Sequence, residues 1–401
     1  ALATVFYNVG IILGTIFLAP KFGLAAPAIG VVIGAFCHLL IQLPLAVKLG
    51  FKFVPSIAAN DEVKEIGKLS GPRIVDLSFE QVQKTAELFL ASLISTASYT
   101  YFTFASTLQI FPVNLFGTSL AKAALPTLAR NSDNPDEFRK VLFTTLYQIV
   151  FLVTPIAVSF IVLRIPIIRL VFGTRIFDWE ATVQTGMVLS AFGLGIVFQS
   201  MVSILERAFY ALHDTKTPVS ISLITISLMV IMDIVFVKGF SFPVWALAAS
   251  FSISVILQSI FLFYLLNKKL NHFSVLKSIA PILKSLIAAI FSGSTMYLLL
   301  KLFDKSVWVK GLSFLGKIDG ISFLSFQRFV LDTRYTGNVL ILTTLVFLIG
   351  LLVYFVSSII LRSDQVFYFA GQLRRLVKGA IAPIPTKESE PVAPTPSDTN
   401  T

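Results

Sequence analysis

The sequence predicts an all-α polytopic membrane protein with about ten transmembrane helices. Hydrophobic residues make up 56% of the 401 residues and charged residues only 13%, whereas a soluble domain would be nearer a quarter charged. Runs of about twenty apolar residues recur along most of the chain. A segment in lipid must satisfy its own backbone hydrogen bonds, which favours helices, and these runs lack the alternation over about ten residues that membrane β-strands show.

The apolar runs place the helices in order along the chain. We expect spans near 2–20, 23–47, 70–97, 99–127, 140–163, 179–209, 217–238, 242–266, 276–302 and 338–361. Two segments fall outside this series. Residues 303–337 predict an external loop, and residues 379–401, rich in Pro, Ser and Thr, predict a disordered tail.

The distribution of Lys and Arg predicts the orientation of the chain. Five connections carry most of the positive charge and are therefore expected in the cytoplasm, namely 48–73, 128–140, 207–216, 268–284 and 362–378. Both ends of the chain then lie in the cytoplasm, as an even number of helices requires. This orientation also explains the net charge of +11 better than nucleic-acid binding does, so no nucleic-acid partner is expected.

The sequence offers no constellation for covalent catalysis. Its single cysteine, Cys37, cannot form an internal disulfide, and His38, His213 and His272 are too scattered to suggest a metal site. Glycine-rich phosphate loops are absent from the sequence. We therefore expect no cofactor and no metal, and a transporter rather than an enzyme.

The third span contains a row of charged side chains. Arg73, Asp76, Glu80, Lys84 and Glu87 are separated by three or four residues. At about 100° per residue they share an arc of about 80°, and at about 1.5 Å per residue they extend over about 21 Å. A charge at the bilayer centre costs about 2.5–3.5 kcal/mol, so this row cannot face lipid.

Three interpretations of the charged row remain open. It can line a hydrophilic path through the membrane, it can form a buried ion-pair network between two helices, or residues 61–84 can form an amphipathic surface helix. The row continues to Glu87, well inside the span, and this favours the path.

Several stretches resemble one transporter family. Residues 206–218, ERAFYALHDTKTP, resemble a segment of the MurJ/MviN family of lipid II flippases in the MOP exporter superfamily. Residues 30–44, 71–92 and 115–130 are similar to further segments of that family and occur in the same order. The resemblance covers about 1–240 and fades afterwards.

The resemblance implies an arrangement of helices. Such proteins have about fourteen helices in two bundles that rock around a central cavity. The ten helices here would be the fifth to the fourteenth, so we expect a flippase bundle that lacks the first four helices. Residues 1–69 would then hold the last two helices of the N-terminal bundle and a cytoplasmic connection. Residues 70–215 would form the cavity-lining core, and 216–378 the remaining helices with the loop at 303–337.

The resemblance also implies residues on the substrate path and shows one departure. The family usually has an acidic residue at the position of Glu87, and an arginine that faces the cavity at the position of Thr107. Thr107 therefore removes an expected anion-binding charge, which Lys84 one helix away is placed to replace. The predicted substrate path comprises Arg73, Asp76, Glu80, Gln81, Lys84, Glu87 and Thr107.

We interpret the sequence as a flippase in the bacterial cytoplasmic membrane. By resemblance, its substrate is an undecaprenyl-pyrophosphate-linked peptidoglycan precursor, and its partners are the lipid bilayer and cell-wall synthesis proteins. One alternative is another exporter of the same superfamily that carries polysaccharide units or drugs. A second is a membrane scaffold that descends from a flippase but does not transport.

The predicted orientation can be tested at the connection 128–140. A reporter enzyme that is active only outside the membrane, fused after Asn134, should be silent because the excess of Lys and Arg holds this connection in the cytoplasm. The same reporter fused after Lys238 should be active. Strong external activity at Asn134 would reverse the whole topology.

Overall fold

The computed structural model describes residues 2–50, 78–79, 81–174, 177–270, 274–304, 331, 335–369 and 371. The predicted fold class is confirmed. Within these ranges the chain is helical apart from short connections, and its β structure amounts to one isolated bridge between Asp304 and Leu331. The predicted tail at 379–401 lies outside the described residues, as does most of the loop at 303–337.

The chain divides into two compact units, Ala1–Lys68 and Leu69–Thr401. The first unit contains helices α1 (Leu2–Phe22) and α2 (Ala26–Lys48), which are joined by the 3-10 turn Gly23–Ala25. The finer divisions predicted at 70–215 and 216–378 stay predictions.

Glycine residues bring α1 and α2 into direct backbone contact. A Cβ atom added at Gly10 or Gly14 of α1 would clash with Gly34 or Gly30 of α2. A Cβ atom at Gly34 would likewise clash with the backbone carbonyl of Tyr7. Small residues spaced by four along both helices are a typical packing motif in membranes, where close van der Waals contact replaces the hydrophobic effect between helices.

The second unit contains the remaining helices. They are α3 (81–94), α4 (Thr96–Pro112), α5 (Ser119–Arg130), α6 (Pro135–Val162), α7 (Arg164–Phe172), α8 (Trp179–Ala211), α9 (Lys216–Ile234), α10 (Trp245–Lys269), α11 (Val275–Phe303) and α12 (Thr336–Ile360). A short helical segment follows at 364–369.

The helix count is consistent with the ten predicted spans. In the described part of the chain, eight helices are long and apolar enough to cross a membrane. The predicted span 99–127 corresponds to α4 and α5, which a π-helical segment, Val113–Thr118, joins into one path. The predicted span 70–97 falls partly outside the described residues and continues through α3.

Helix α8 lies at the centre of the second unit. It is the most deeply buried of the eight spans, because 72% of the residues in its most apolar stretch are buried inside the protein. Two close approaches position its neighbours: a Cβ atom at Gly117 would lie 2.8 Å from Cβ of Ser200, and one at Gly195 would lie 2.7 Å from Oγ of Ser252. These contacts bring the π-helical segment and α10 directly against the α8 backbone.

Buried hydroxyl groups connect the helices through backbone carbonyls. Ser252 of α10 donates to the carbonyl of Ala191 in α8 at 2.7 Å, and Ser254 donates to the carbonyl of Thr225 in α9 at 2.7 Å. On the other side of the unit, Ser292 of α11 donates to Gly350 of α12 at 2.7 Å, and Tyr354 of α12 donates to Phe151 of α6 at 2.9 Å. Such hydrogen bonds contribute about 0.6 kcal/mol each on average in a membrane.

The stretch 206–218, which carries the family resemblance, forms the turn from α8 to α9. His213 adopts a positive φ of 57° there, and Asp214 accepts hydrogen bonds from the backbone N–H of Thr217 at 3.1 Å and from its hydroxyl at 2.8 Å. Asp214 also pairs with Lys269 at the end of α10 at 2.7 Å, and the Lys269 ammonium lies 5.9 Å from the ring centre of Phe209. The turn therefore fastens the ends of α8, α9 and α10 together.

The close packing of α1 against α2 predicts an effect of Gly34→Ala. The added methyl group meets the backbone of Tyr7, so the two helices must separate. Cys37, the single cysteine, is half-buried one turn further along α2, and its labelling rate by a thiol reagent in detergent should rise several-fold. Gly337→Ala is the matched control, because its methyl group meets no atom within 4 Å. Equal labelling rates in both variants would contradict the packing.

The turn at Asp214 predicts a dependence of stability on pH. Burial raises the pKa of this carboxylate, but hydrogen bonds from Lys269 and Thr217 outweigh that effect and hold its pKa below the ordinary value. Stabilisation by a group with a lowered pKa is present above its unfolded-state value and is lost as the pH falls through its folded-state value. Asp214→Ala should therefore lower the melting temperature most at neutral pH. This decrease should become smaller as the pH falls from about 5 to about 3.

The matched control for that measurement is Asp136→Ala. Asp136 also pairs with a basic residue, Arg139, at 3.3 Å, but its side chain is 91% exposed. Because exposed pairs contribute little, its removal should leave the melting temperature nearly unchanged. A loss at Asp214 that stayed constant down to pH 3 would rule out the ionised carboxylate as its cause.

Candidate functional site

A polar cavity lies among the helices of the second unit. Its volume is about 370 Å³, and α3, α4, α8, α9, α10 and the π-helical segment contribute its lining. Polar side chains from each of these elements face it. They are Gln83, Lys84, Glu87, Ser106, Gln109, Asn114, Thr118, Gln199, Ser203, Glu206, Ser222, Ser254 and Gln258.

The polar lining follows from helical spacing. Gln199, Ser203 and Glu206 recur at intervals of four and three along α8, so they lie on one face of that helix. Ser254 and Gln258 are four residues apart on α10. Val202 and Val255, which lie between these positions, add apolar surface to the lining.

The α3 side of the cavity carries an acidic group and a basic group. Glu87 is only 5% exposed, and its carboxylate accepts a hydrogen bond from the Gln83 amide at 3.3 Å. The same amide lies 3.6 Å from the sulfur of Met229 in α9. Lys84, one residue further along the helix, contributes an ammonium group to the lining.

Carboxamide groups from facing helices meet inside the cavity. The Gln109 amide of α4 donates to the Gln199 carbonyl of α8, and Gln109 is only 3% exposed. On α10, the Gln258 amide lies 3.5 Å from the carboxylate of Glu206 in α8. These side chains are therefore held in place before any ligand enters.

The π-helical segment, Val113–Thr118, shapes one wall. Its wide turn leaves the Asn114 carbonyl to accept a hydrogen bond from the Ser119 hydroxyl at 2.9 Å. Gly117 faces Ser200 of α8, while Asn114 and Thr118 line the cavity. Single π turns within α-helices occur frequently at functional sites.

The structure brings together two residues of the predicted substrate path. Lys84 and Glu87 both line the cavity. Gln81 is exposed on another face of α3 and is not part of the lining, and Arg73, Asp76 and Glu80 lie outside the described residues. The assignment of these residues to a substrate path stays a prediction.

Thr107 occupies a position next to the cavity wall. Its side chain is exposed, and its hydroxyl donates to the Thr103 carbonyl of the same helix at 2.9 Å. The preceding residue, Ser106, lines the cavity together with Gln109.

The polar residues of α4, α8 and α10 that line the cavity were not predicted from the sequence. Charge was the signal used for the prediction, and most of these residues are uncharged amides and hydroxyls within apolar spans. The spacing of Gln199, Ser203 and Glu206 was a usable signal, because three polar residues on one face of an apolar helix must meet protein or water.

A second carboxylate is buried beside the site. Asp233 of α9 is fully buried, and Ser250 of α10 donates a hydrogen bond to its Oδ1 atom. Its Oδ2 atom has no hydrogen-bond partner among the described residues. In that part of the chain no group of three or more His, Cys, Asp or Glu side chains is placed to hold a metal ion.

Another cavity, of about 650 Å³, lies where α7, α8 and α12 end or begin. Its charged residues already have partners in the protein. Asp178 accepts a hydrogen bond from the Ala181 N–H at 2.8 Å and caps α8, and Arg169 also interacts with another residue. The polar cavity between α3, α4, α8, α9 and α10 is therefore the better candidate site.

Comparisons with known proteins point in one direction. The chain is 29% identical over 306 residues to a "Probable lipid II flippase MurJ" of Haemophilus influenzae, which covers 73% of this chain and 59% of the relative. It is 26% identical over 313 residues to the protein of the same description from Thermotoga maritima, covering 77% of this chain and 63% of the relative. The chain thus spans less than two thirds of the length of these curated relatives.

A solved structure supports the same fold. The structure described as "Lipid II flippase MurJ, inward closed conformation" matches with a TM-score of 0.65 and 23% identity, over 90% of this chain and 68% of that chain. At this identity the match shows the arrangement of helices alone.

The family comparison covers the greater part of the sequence. The family described as "Lipid II flippase MurJ" matches residues 1–318, which include both helices of the first unit and every helix that lines the cavity. The chain therefore belongs to the lipid II flippase MurJ family.

Proposed function

We propose that this protein takes part in moving lipid II across the bacterial cytoplasmic membrane by alternating access. Family membership together with the polar cavity around α8 carries this proposal. The transport requires no covalent chemistry, and the side chains of the cavity are suited to binding rather than to nucleophilic attack.

The physics of the substrate supports the proposal. A lipid-linked precursor has a polar head of pyrophosphate and sugars, and a hydrocarbon tail that is at home in the bilayer. Polar groups that enter hydrocarbon without partners cost several kcal/mol each. A cavity with amides, hydroxyls and charges replaces the water lost by the head group, while the tail remains in lipid.

We propose that Lys84 and Glu87 lie on the path of this head group. Both line the cavity, and they occupy the inner end of the charged row predicted from the sequence. Arg73, Asp76 and Glu80 would extend the path along the same helix. Gln81 and Thr107 are exposed and do not line this cavity, so they would contribute to the path only through another part of the transporter.

We further propose that the chain begins and ends on the cytoplasmic side. The excess of Lys and Arg in the connections named above supports this orientation. Lipid II is made and used by cell-wall synthesis proteins, and these are the proposed partners.

Complementation of a bacterium depleted of its own flippase tests the proposed function. The gene product that contains this chain should restore growth. Lys84→Met should reduce rescue strongly, because it removes the cavity's ammonium group, whereas Lys122→Met should not. Lys122 is exposed on α5 and is not part of the cavity lining.

Membrane levels of each variant must be compared by immunoblot. If the unaltered protein reaches the membrane in normal amounts and still fails to restore growth, the flippase proposal is wrong. If Lys84→Met and Lys122→Met changed rescue to the same extent, the function would not depend on this cavity.

A further inference from the structure

We propose that the carboxamide groups of Gln109, Gln199 and Gln258 recognise the amino-sugar part of the substrate head group, and that its pyrophosphate is bound elsewhere. This inference rests on the proposed function, because it concerns the same cavity. The second unit then binds the sugars of the head group, whereas its charged residues alone would suggest that it binds the pyrophosphate.

The charge balance of the cavity argues against pyrophosphate. Among the described residues that line it, Lys84 contributes one ammonium, and Glu87 and Glu206 contribute two carboxyl groups. A single ammonium does not balance the charge of a pyrophosphate, and the carboxyl groups beside it offer no attraction to an anion. Phosphate sites in proteins usually combine several cationic or N–H donors, from Arg forks, Lys or helix N-termini.

The uncharged polar groups fit sugar hydroxyls and acetamido groups. Each carboxamide offers two N–H donors and a carbonyl acceptor, so it can bind a hydroxyl that both donates and accepts. Carboxylates such as Glu206 accept hydrogen bonds from hydroxyls as well. Amide groups also pair with the N-acetyl amide of an amino sugar in both directions.

The positions of the three glutamines suit recognition from several sides. Gln109 lies on α4, Gln199 on α8 and Gln258 on α10, so they approach a ligand from three helices. Gln109 and Gln199 are hydrogen-bonded to each other, and Gln258 lies 3.5 Å from Glu206. These contacts hold the side chains in orientations that a ligand can use without ordering them first.

The remaining lining provides an apolar surface for a sugar ring. The ring of Phe251 is half-buried in the cavity wall, and Phe192, only 2% exposed, packs against it with ring centres 5.4 Å apart and planes at 77°. The C–H face of a pyranose packs well on such a surface. The volume of about 370 Å³ lies near the lower end of the range of about 300–1,000 Å³ for ligand sites, so the cavity holds only part of the head group.

Binding measurements with two ligands test this inference. The full chain in detergent is titrated with lipid II and with undecaprenyl pyrophosphate, which has the same lipid and pyrophosphate but no sugar. We expect lipid II to bind at least about tenfold more tightly, since one or two hydrogen bonds account for that ratio. Gln258→Leu should reduce the ratio several-fold and leave the affinity for undecaprenyl pyrophosphate unchanged.

A second variant protects the test against misfolding. In Gln109→Leu/Gln199→Leu both partners of a hydrogen bond are replaced, so no buried amide is left without a partner. This double variant should also reduce the ratio. Gln148→Leu, on α6 and outside this cavity, is the matched control and should keep the ratio of the unaltered protein.

The outcomes separate this inference from the proposed function. If the unaltered chain binds both ligands equally, pyrophosphate or lipid dominates and the sugar assignment is overturned, while the flippase proposal stands. If the glutamine variants lower the affinities for both ligands by the same factor, the amides maintain the shape of the site and do not bind the sugar. The assignment is then overturned as well. Binding of neither ligand would overturn both.

Discussion

The second unit depends on how closely its helices approach α8. Between helices in lipid there is no hydrophobic driving force, so van der Waals contact and hydrogen bonding hold them together. Gly195 lets Ser252 reach the α8 backbone, and the Ser252 hydroxyl then bonds the Ala191 carbonyl at 2.7 Å. Gly117 brings the π-helical segment against Ser200 in the same way. With its neighbours fixed at these points, α8 becomes the most deeply buried span, and its polar face is left to line the cavity.

The same packing explains why the cavity can be polar at all. An amide or a carboxylate in a membrane helix is tolerated where it meets another polar group or water. Gln109 meets Gln199, Gln83 meets Glu87, and Ser250 meets Asp233. The unit therefore groups these polar side chains between α3, α4, α8, α9 and α10. A polar head group entering the cavity would exchange hydrogen bonds with groups that are already oriented.

The helices could be predicted from the sequence, whereas much of the cavity could not. Length and hydropathy suffice to identify a span such as α8, because lipid imposes both. They do not show which face of a span is turned inward when its polar residues are neutral, as with Gln199 and Ser203. Charge did identify Lys84 and Glu87, since a charged group in lipid is costly enough to demand a partner. Thr107 was assigned to the path from a family motif. Its neighbour Ser106 lines the cavity, whereas the Thr107 hydroxyl bonds the Thr103 carbonyl of its own helix.

The π-helical segment has a consequence for comparing this sequence with its relatives. A π turn contains one residue more than an α-helical turn, so the helix faces before and after Val113–Thr118 are offset by about 100°. A relative with an uninterrupted helix would align here with a one-residue gap. An alignment without that gap would equate Thr118 with a neighbour on a different face and misassign each position of α5 that follows. Evolutionary comparisons of this wall are therefore meaningful only when the extra residue is placed inside the wide turn.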